Sequence, residues 1–360
     1  MPTQLATETE SLKKYWVIEK RYRPAIRAMS HTTLKELHLT PFSSRITLGR
    51  MVKVHKHPRI PWLAMIDPGD VIPGMERFLC SYVLLHRKVA IVDVGPSCCV
   101  SSVMEGLKAL GIAAERVDFL LTSHVHLDHG GGVGAALKLL PNARAVVHPN
   151  GLPHLQNPWK LWETTLKALG DLGEAYGRPD PAPPERLIAA RDGMRIDLGD
   201  ASLEVLFTPG HAPHHISFFD HEHSFFLAGD LCGVRARGIR RPASPPPLYL
   251  DQQLSSIDHA VSLNPSVICY GHYGWESDAM ARLRAYQRQL LAWRDIVAEG
   301  LEAGQSPEQT ARRIVDSDKK LARLGRLTPL QQRREMTFIL NAVAGLAGYL
   351  DSEKQTTATS

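Results

Sequence analysis

The sequence predicts a mixed α/β (α+β) fold that ends in an all-helical segment, and three observations carry that prediction. Between residues 62 and 275, short apolar runs of strand length recur, and several run straight into His or Asp. From Ser277 onward the apolar residues fall three and four apart, the period of a helix. No stretch approaches the roughly 18 consecutive apolar residues of a membrane span. With 44% hydrophobic and 22% charged residues over 360 positions, the chain has enough material for a sizeable core.

Residues 1–61 read as a basic N-terminal arm. Residues 1–60 hold twelve Lys or Arg against four Glu and no Asp, so the formal charge of +5 belongs to the arm and the remainder is slightly acidic. That placement disfavours nucleic acid as a partner of the main body. A transit peptide is disfavoured by Glu8, Glu10 and Glu19, and the first thirty residues lack the apolar run of a secretory signal. Five cysteines without C-x-x-C spacing point to a reducing compartment, so a cytoplasmic protein is expected.

Residues 62–275 form the main domain. Residues 80–85 and 88–94 read as two strands of a hairpin, with His86 and Arg87 at its turn. A helix is expected over 101–110, with Gly111 as its C′ residue, and a buried strand over 117–122. Residues 130–140 read as a helix and 143–147 as a strand. A helix over 158–176 sits on an insertion closed by the Pro-rich stretch 178–185. Further strands are expected at 202–207, 216–219, 224–227 and 267–269.

Residues 276–350 read as helices. Leu283, Tyr286, Leu290, Trp293, Val297 and Leu301 mark an amphipathic helix, a stripe that reads as core, with a pocket cap or a homodimer contact as its other roles. Ser306-Pro307-Glu308-Gln309 combines an N-cap, a proline at N1 and a capping-box Gln, and Thr328-Pro329 repeats the signal. The polar residues 351–360 are expected to be a disordered tail.

Chemistry concentrates in Thr122-Ser123-His124-Val125-His126-Leu127-Asp128-His129-Gly130-Gly131, where four ligand-type side chains lie within six residues directly after an apolar strand. Imidazole and carboxylate suit zinc and other first-row divalent ions. His124 and His126, two apart in extended backbone, point the same way, and Asp128 and His129 beyond the turn can reach a second position. Thr208-Pro209-Gly210-His211, Ala228-Gly229-Asp230 and Tyr270-Gly271-His272 each place one further ligand after a strand and a small residue. His148, His221, His223 and the Cys98-Cys99 pair lie outside this pattern and read as ordinary residues.

On these motifs, over roughly residues 65–275, the chain resembles the metallo-β-lactamase-fold hydrolase superfamily. The resemblance implies a four-layer αββα sandwich with a metal site at one edge of two sheets. It implies two divalent ions, zinc foremost with iron or manganese as alternatives. His124, His126 and His211 would bind the first ion; Asp128, His129 and His272 the second; Asp230 would bridge both. Asp128 and Asp230 are the carboxylates expected to take part in catalysis, and His215 is the expected outer partner of a ligand.

Asp230 disfavours antibiotic hydrolysis, since the β-lactamases of the superfamily generally lack that bridging aspartate. Acyl-homoserine lactonases typically carry a tyrosine three residues after it, where this chain has Gly233. The likeness is greatest to glyoxalase-II-like hydrolases with a Pro-Pro loop and a helical C-terminal extension, through Pro245-Pro246-Pro247, residues 270–274 and the helix through Trp293. Where that branch has Gly-His, this chain has His214-His215, so His214 either shapes the turn or projects toward substrate. Arg235, with Arg237, Arg240 and Arg241, reads as a solvated loop or as a site mouth for an anionic small molecule, and Tyr273 as a pocket or core residue. The expected activity is cleavage of an ester, thioester or lactone by a hydroxide bridging two metals. The alternatives are phosphodiesterase or nuclease action at the same site, or mononuclear-iron chemistry like that of persulfide dioxygenases.

Overall fold

The computed structural model describes residues 51–359. Strands alternate their side chains between two faces, and here both faces are apolar, so each sheet is covered twice. The first sheet has the order β1-β2-β3-β4-β5-β6-β7, from Lys53–Lys56, Leu63–Asp67, Ser81–Leu85, Val89–Val92, Val117–Leu121, Arg144–Val147 and Leu187–Ala189. β1 to β4 are antiparallel, and β4 to β7 are parallel. The second sheet contains β8 (Arg195–Asp197), β9 (Ser202–Phe207), β10 (Ile216–Asp220), β11 (Phe225–Gly229), β14 (Val267–Tyr270) and β15 (Trp275–Ser277), in the order β15-β14-β11-β10-β9-β8. A hairpin of β12 (Val234–Ala236) and β13 (Ile239–Arg241) stands apart.

The helices are α1 (Val100–Ala109), α2 (Leu127–Gly130), α3 (Val133–Leu139), α4 (Leu152–Gln156), α5 (Trp159–Leu169), α6 (Asp171–Tyr176), α7 (Leu250–Ser262), α8 (Ala279–Glu302), α9 (Pro307–Ser317) and α10 (Pro329–Thr359). Three apolar clusters separate four layers. Ala64, Ile66, Val83 and Ile91 face Val103 and Leu107 of α1 and Leu137 of α3. Met65, Tyr82, Leu84 and Val92 on the other face meet Val205, Phe218 and Leu227 of the second sheet. Leu206, Phe226 and Ile268 then pack on Leu283, Leu290 and Trp293 of α8 and on Ile339 and Leu346 of α10. Each fully buried Val, Leu, Ile, Met or Phe among them contributes about 1.5–3 kcal/mol. The αββα sandwich expected from the sequence is therefore the observed architecture.

Several expected boundaries move. Residues 1–50 of the expected arm lie outside the described residues, but β1 falls within its 51–61 portion and pairs with β2, so the sandwich begins before residue 62. β15 crosses the expected boundary at 275. The helices after it are the fourth layer of the sandwich, sharing one cluster with the second sheet. Residues 351–359, expected as a disordered tail, continue α10. Their Glu, Lys, Gln and Ala content propagates a helix already nucleated by buried residues. The single helix expected over 158–176 is two, broken at Gly170, which adopts φ 55°. The Ser306 and Gln309 side chains form the anticipated reciprocal capping box.

Candidate metal centre

All seven anticipated ligand side chains leave the C-terminal ends of strands or the turn just beyond. His124 and His126 follow β5, Asp128 and His129 lie on α2, and His211, Asp230 and His272 follow β9, β11 and β14. β5 is parallel to β4, β11 to β14, and β9 runs with β11 through their shared neighbour β10, so these ends gather at one edge of the sandwich. The two sheets are tied there by Tyr82 of β3, whose hydroxyl bonds the carbonyl of Tyr270 at 2.9 Å.

Space at this edge is tight. A Cβ on Gly210, ahead of His211, would lie 2.2 Å from the Gln253 Cβ on α7, and the backbone there has φ 142°. A Cβ on Gly271, ahead of His272, would lie 2.5 Å from Asp230 Oδ1 and 2.9 Å from His129 Cε1. The small residues that mark the motifs are thus fixed by close approach.

Three ring nitrogens form a triangle. His124 Nε2 lies 3.0 Å from His126 Nδ1 and 3.2 Å from His211 Nε2, and His211 Nε2 lies 3.0 Å from His126 Nδ1. The partners of the distal nitrogens decide what these atoms offer. His211 Nδ1 must donate to the carbonyl of Ala243 at 2.9 Å. Ser123 Oγ donates to Asp93 Oδ2 at 2.7 Å, leaving its lone pair to accept from His124 Nδ1 at 3.0 Å. Both Nε2 atoms therefore present lone pairs to each other, a repulsive contact that a cation between them relieves. Donors of a tetrahedral ion at about 2.0–2.1 Å stand about 3.3 Å apart, close to the spacing found.

The second group is Asp128, His129 and His272, whose ligand atoms lie within 4.8 Å of one another. His129 Nδ1 donates to Asp93 Oδ2 at 3.0 Å, which leaves its Nε2 facing His272 Nε2 at 3.2 Å. His272 Nε2 stands 3.8 Å from Asp128 Oδ2. Asp230 lies between the groups, with Oδ1 3.5 Å from His129 and Oδ2 3.7 Å from His211 and 3.5 Å from His272. Its Oδ1 is buried without a hydrogen-bond partner among the described residues. Converging lone pairs and an orphaned carboxylate oxygen fit a pair of divalent cations.

Asp93, which the sequence reading passed over, holds the arrangement from below. One carboxylate accepts from Ser123 N at 2.8 Å, from Ser123 Oγ and from His129 Nδ1. Its signal was a carboxylate closing the buried strand β4 just before Gly95. His215 was expected to fix an imidazole, but it supports the backbone of Asp230 instead. Ser217 Oγ donates to the Ala228 carbonyl, Thr208 Oγ1 to Ser217, and His215 Nδ1 to Thr208, so His215 Nε2 accepts from Asp230 N at 3.0 Å.

His214 is buried beside His126, with ring centroids 5.8 Å apart, and its Nδ1 faces Val125 N at 3.5 Å. The hydroxyl of Tyr273 donates to Asp67 at 2.7 Å, and Arg235 bonds the Tyr273 carbonyl and Glu276, so both are engaged by the protein. Arg237 and Arg241, read as loop residues, are instead buried around Glu335 of α10. His148 accepts from Asn150 N and packs on Phe207, away from the ligands.

Burial holds His124, His126, His211 and His215 below their ordinary range and pushes His214 down to about 3. Burial also opposes charge on His129, but the carboxylates of Asp230, Asp128 and Asp93 outweigh it and push it up to about 10. Burial disfavours the Asp230 anion as well, yet His272 and His129 prevail and keep it well below the usual carboxylate range. Five imidazoles that stay neutral when folded, but take up protons near 6.5 when unfolded, make stability fall as pH drops below 6.5. The His129 contribution is fully present there and is lost only as pH rises from 6.5 toward 10. Chelator-treated protein is therefore expected to lose at least about 1.4 kcal/mol per pH unit below the histidine midpoint, read from urea midpoints between pH 7 and 5.5. A flat midpoint over that interval would show that the imidazoles titrate normally.

A family model described as the metallo-beta-lactamase superfamily matches residues 76–272. Over 220 residues the chain is 27% identical to the metallo-beta-lactamase fold-containing protein ST1585 of Sulfurisphaera tokodaii, covering 60% of this chain and 79% of that one. The solved structure of ST1585 superposes with a TM-score of 0.55 at 25% identity, over 64% of this chain and 86% of that one. An N-acyl homoserine lactonase AttM of Agrobacterium fabrum is 33% identical over 120 residues, 32% of this chain and 40% of the lactonase. A hydroxyacylglutathione hydrolase of Aeromonas salmonicida is 30% identical over 157 residues, 42% of this chain and 47% of the hydrolase. The chain thus spans less than half the length of these two enzymes.

Proposed function

Because this chain belongs to the metallo-beta-lactamase superfamily, we propose that it is a metal-dependent hydrolase of a small carboxylic ester, thioester or lactone. The observation that carries the reading is Asp230, a buried carboxylate with one oxygen toward His129 and the other toward His211 and His272. Two divalent ions bound there, zinc foremost and iron or manganese within the range of these donors, supply an activated water and a Lewis acid for the acyl oxygen.

The chain's own residues do the rest. His124, His126 and His211 hold the first position, and Asp128, His129 and His272 the second. The Asp128 side chain retains 18% exposure, more than Asp230 at 5%, which suits it to pass a proton from water to the leaving group. His214, kept neutral by burial, closes the side of the site next to His126. Arg235, which bonds the Tyr273 carbonyl, shares the single carboxylate of Glu276 with Arg240 and Arg282. That excess of positive charge supports a substrate with an anionic group.

Similarity to a lactonase and a hydroxyacylglutathione hydrolase supports acyl chemistry. Gly233 argues against an acyl-homoserine-lactone site, because it holds φ 69° and a Cβ there would lie 2.4 Å from the Tyr286 ring. The test is a screen of metal-quantified protein on thioesters, lactones, aryl carboxylic esters, bis-p-nitrophenyl phosphate and glutathione persulfide. Turnover is expected on the carboxylic substrates, lost on chelation and restored by metal. Faster phosphodiester cleavage, or oxygen uptake with persulfide at one iron per chain, would overturn the reading.

A further inference from the structure

Three cage imidazoles are fixed by a hydrogen bond from the ring nitrogen that faces away from the cage: His124 to Ser123, His129 to Asp93 and His211 to the Ala243 carbonyl. His272 is different. Its Nδ1 is buried and has no hydrogen-bond partner among the described residues. What lies against the ring is Phe78, with centroids 4.3 Å apart and planes at 46°. Phe78, itself 1% exposed, stacks on Phe338 of α10 at 5.4 Å with planes 9° apart.

The column is clamped from the same helix. Arg241 lies over the Phe338 ring at 4.5 Å, and Arg237 and Arg241 lie 5.3 and 5.9 Å from the Phe78 ring. Both guanidiniums bind Glu335, three residues before Phe338 and so on the same face of α10.

We propose that the terminal helix sets how tightly the second metal position is filled, through the column Phe338–Phe78–His272. The inference rests on the two-ion reading above. An imidazole ligand is ordinarily oriented, and made more basic, by a hydrogen bond at its other nitrogen, and loss of such a partner costs roughly 10- to 100-fold in metal affinity. His272 has no such bond, so ring packing is what keeps its Nε2 aimed at the cage. The second position is then the weaker of the two, and the first position, where His124 and His211 have their own hydrogen bonds, is insulated from α10.

The experiment titrates full-length protein with zinc in a chelator buffer, counts bound metal by mass spectrometry and repeats the titration with cobalt(II) read by visible absorption. The variants are Phe338→Ala, Phe338→Leu and Phe338→Tyr, each checked for fold by circular dichroism and thermal unfolding. Phe338→Leu keeps apolar volume without a ring face and serves if the alanine variant does not fold. Alanine and leucine variants are expected to bind the first ion normally and the second at least tenfold more weakly, with tyrosine within threefold of the parent. Equal second-ion affinity in a folded leucine variant, or parallel weakening of both ions, would overturn the proposal. A parent protein that takes up only one ion or none would instead bring down the two-ion reading itself.

Discussion

Asp230→Asn is expected to abolish measurable turnover and to lower bound metal from two ions toward one. Asp230 is 3% exposed, and its oxygens lie 3.5 to 3.7 Å from three imidazoles drawn from both halves of the cage. The amide keeps the shape but removes the negative charge and replaces one oxygen with an NH2 group that has no lone pair to offer a cation. The loss should exceed the roughly 10- to 100-fold that outer partners cost, because a shared ligand acts on both positions. The check is kcat/KM on the best substrate of the screen, beside metal content of the same preparation. Retention of two ions with near-parental turnover would remove Asp230 from the chemistry.

The second large effect is on stability. Glu335→Ala should lower the unfolding free energy by about 3–5 kcal/mol, because it strips two buried guanidiniums of their carboxylate. The side chains of Arg237, Arg241 and Glu335 are 6%, 3% and 1% exposed. Among the described residues Arg237 Nε and Arg241 Nη2 already lack partners, and Glu76, the other carboxylate acting on Arg237, is engaged by Gln331. Replacing all three by apolar residues of similar size should restore most of the loss or exceed the parent, since the ions need no longer be desolvated. Urea unfolding of the single and triple variants separates these signs, and a single variant within 1 kcal/mol of the parent would mean that water reaches the cluster.

The seven candidate ligands were legible because four lie in one run directly after an apolar strand and three each follow a strand and a small residue, and strand ends are where a rigid sheet delivers side chains. Asp93 was not, because one carboxylate ahead of a glycine looks like any turn; only the fold brings Ser123 and His129 onto it. The same limit hid the role of Arg241, whose partner Glu335 lies 94 positions away. β1 was obscured by its own lysines, Lys53 and Lys56, which suit an exposed edge strand but read as part of a basic arm. α7 went unread although Leu250, Leu254, Ile257 and Val261 keep helical spacing, because the polar residues between them lower its overall hydropathy. The helical continuation past Asp351 was lost to composition, since a polar segment reads alike as tail or as solvated helix.

Asp93 joins the two halves of the cage. A single carboxylate oxygen receives both the hydroxyl that takes the proton of His124 and the proton of His129. The two groups of side chains accordingly share one footing. Replacing that one carboxylate would loosen His124 and His129 together.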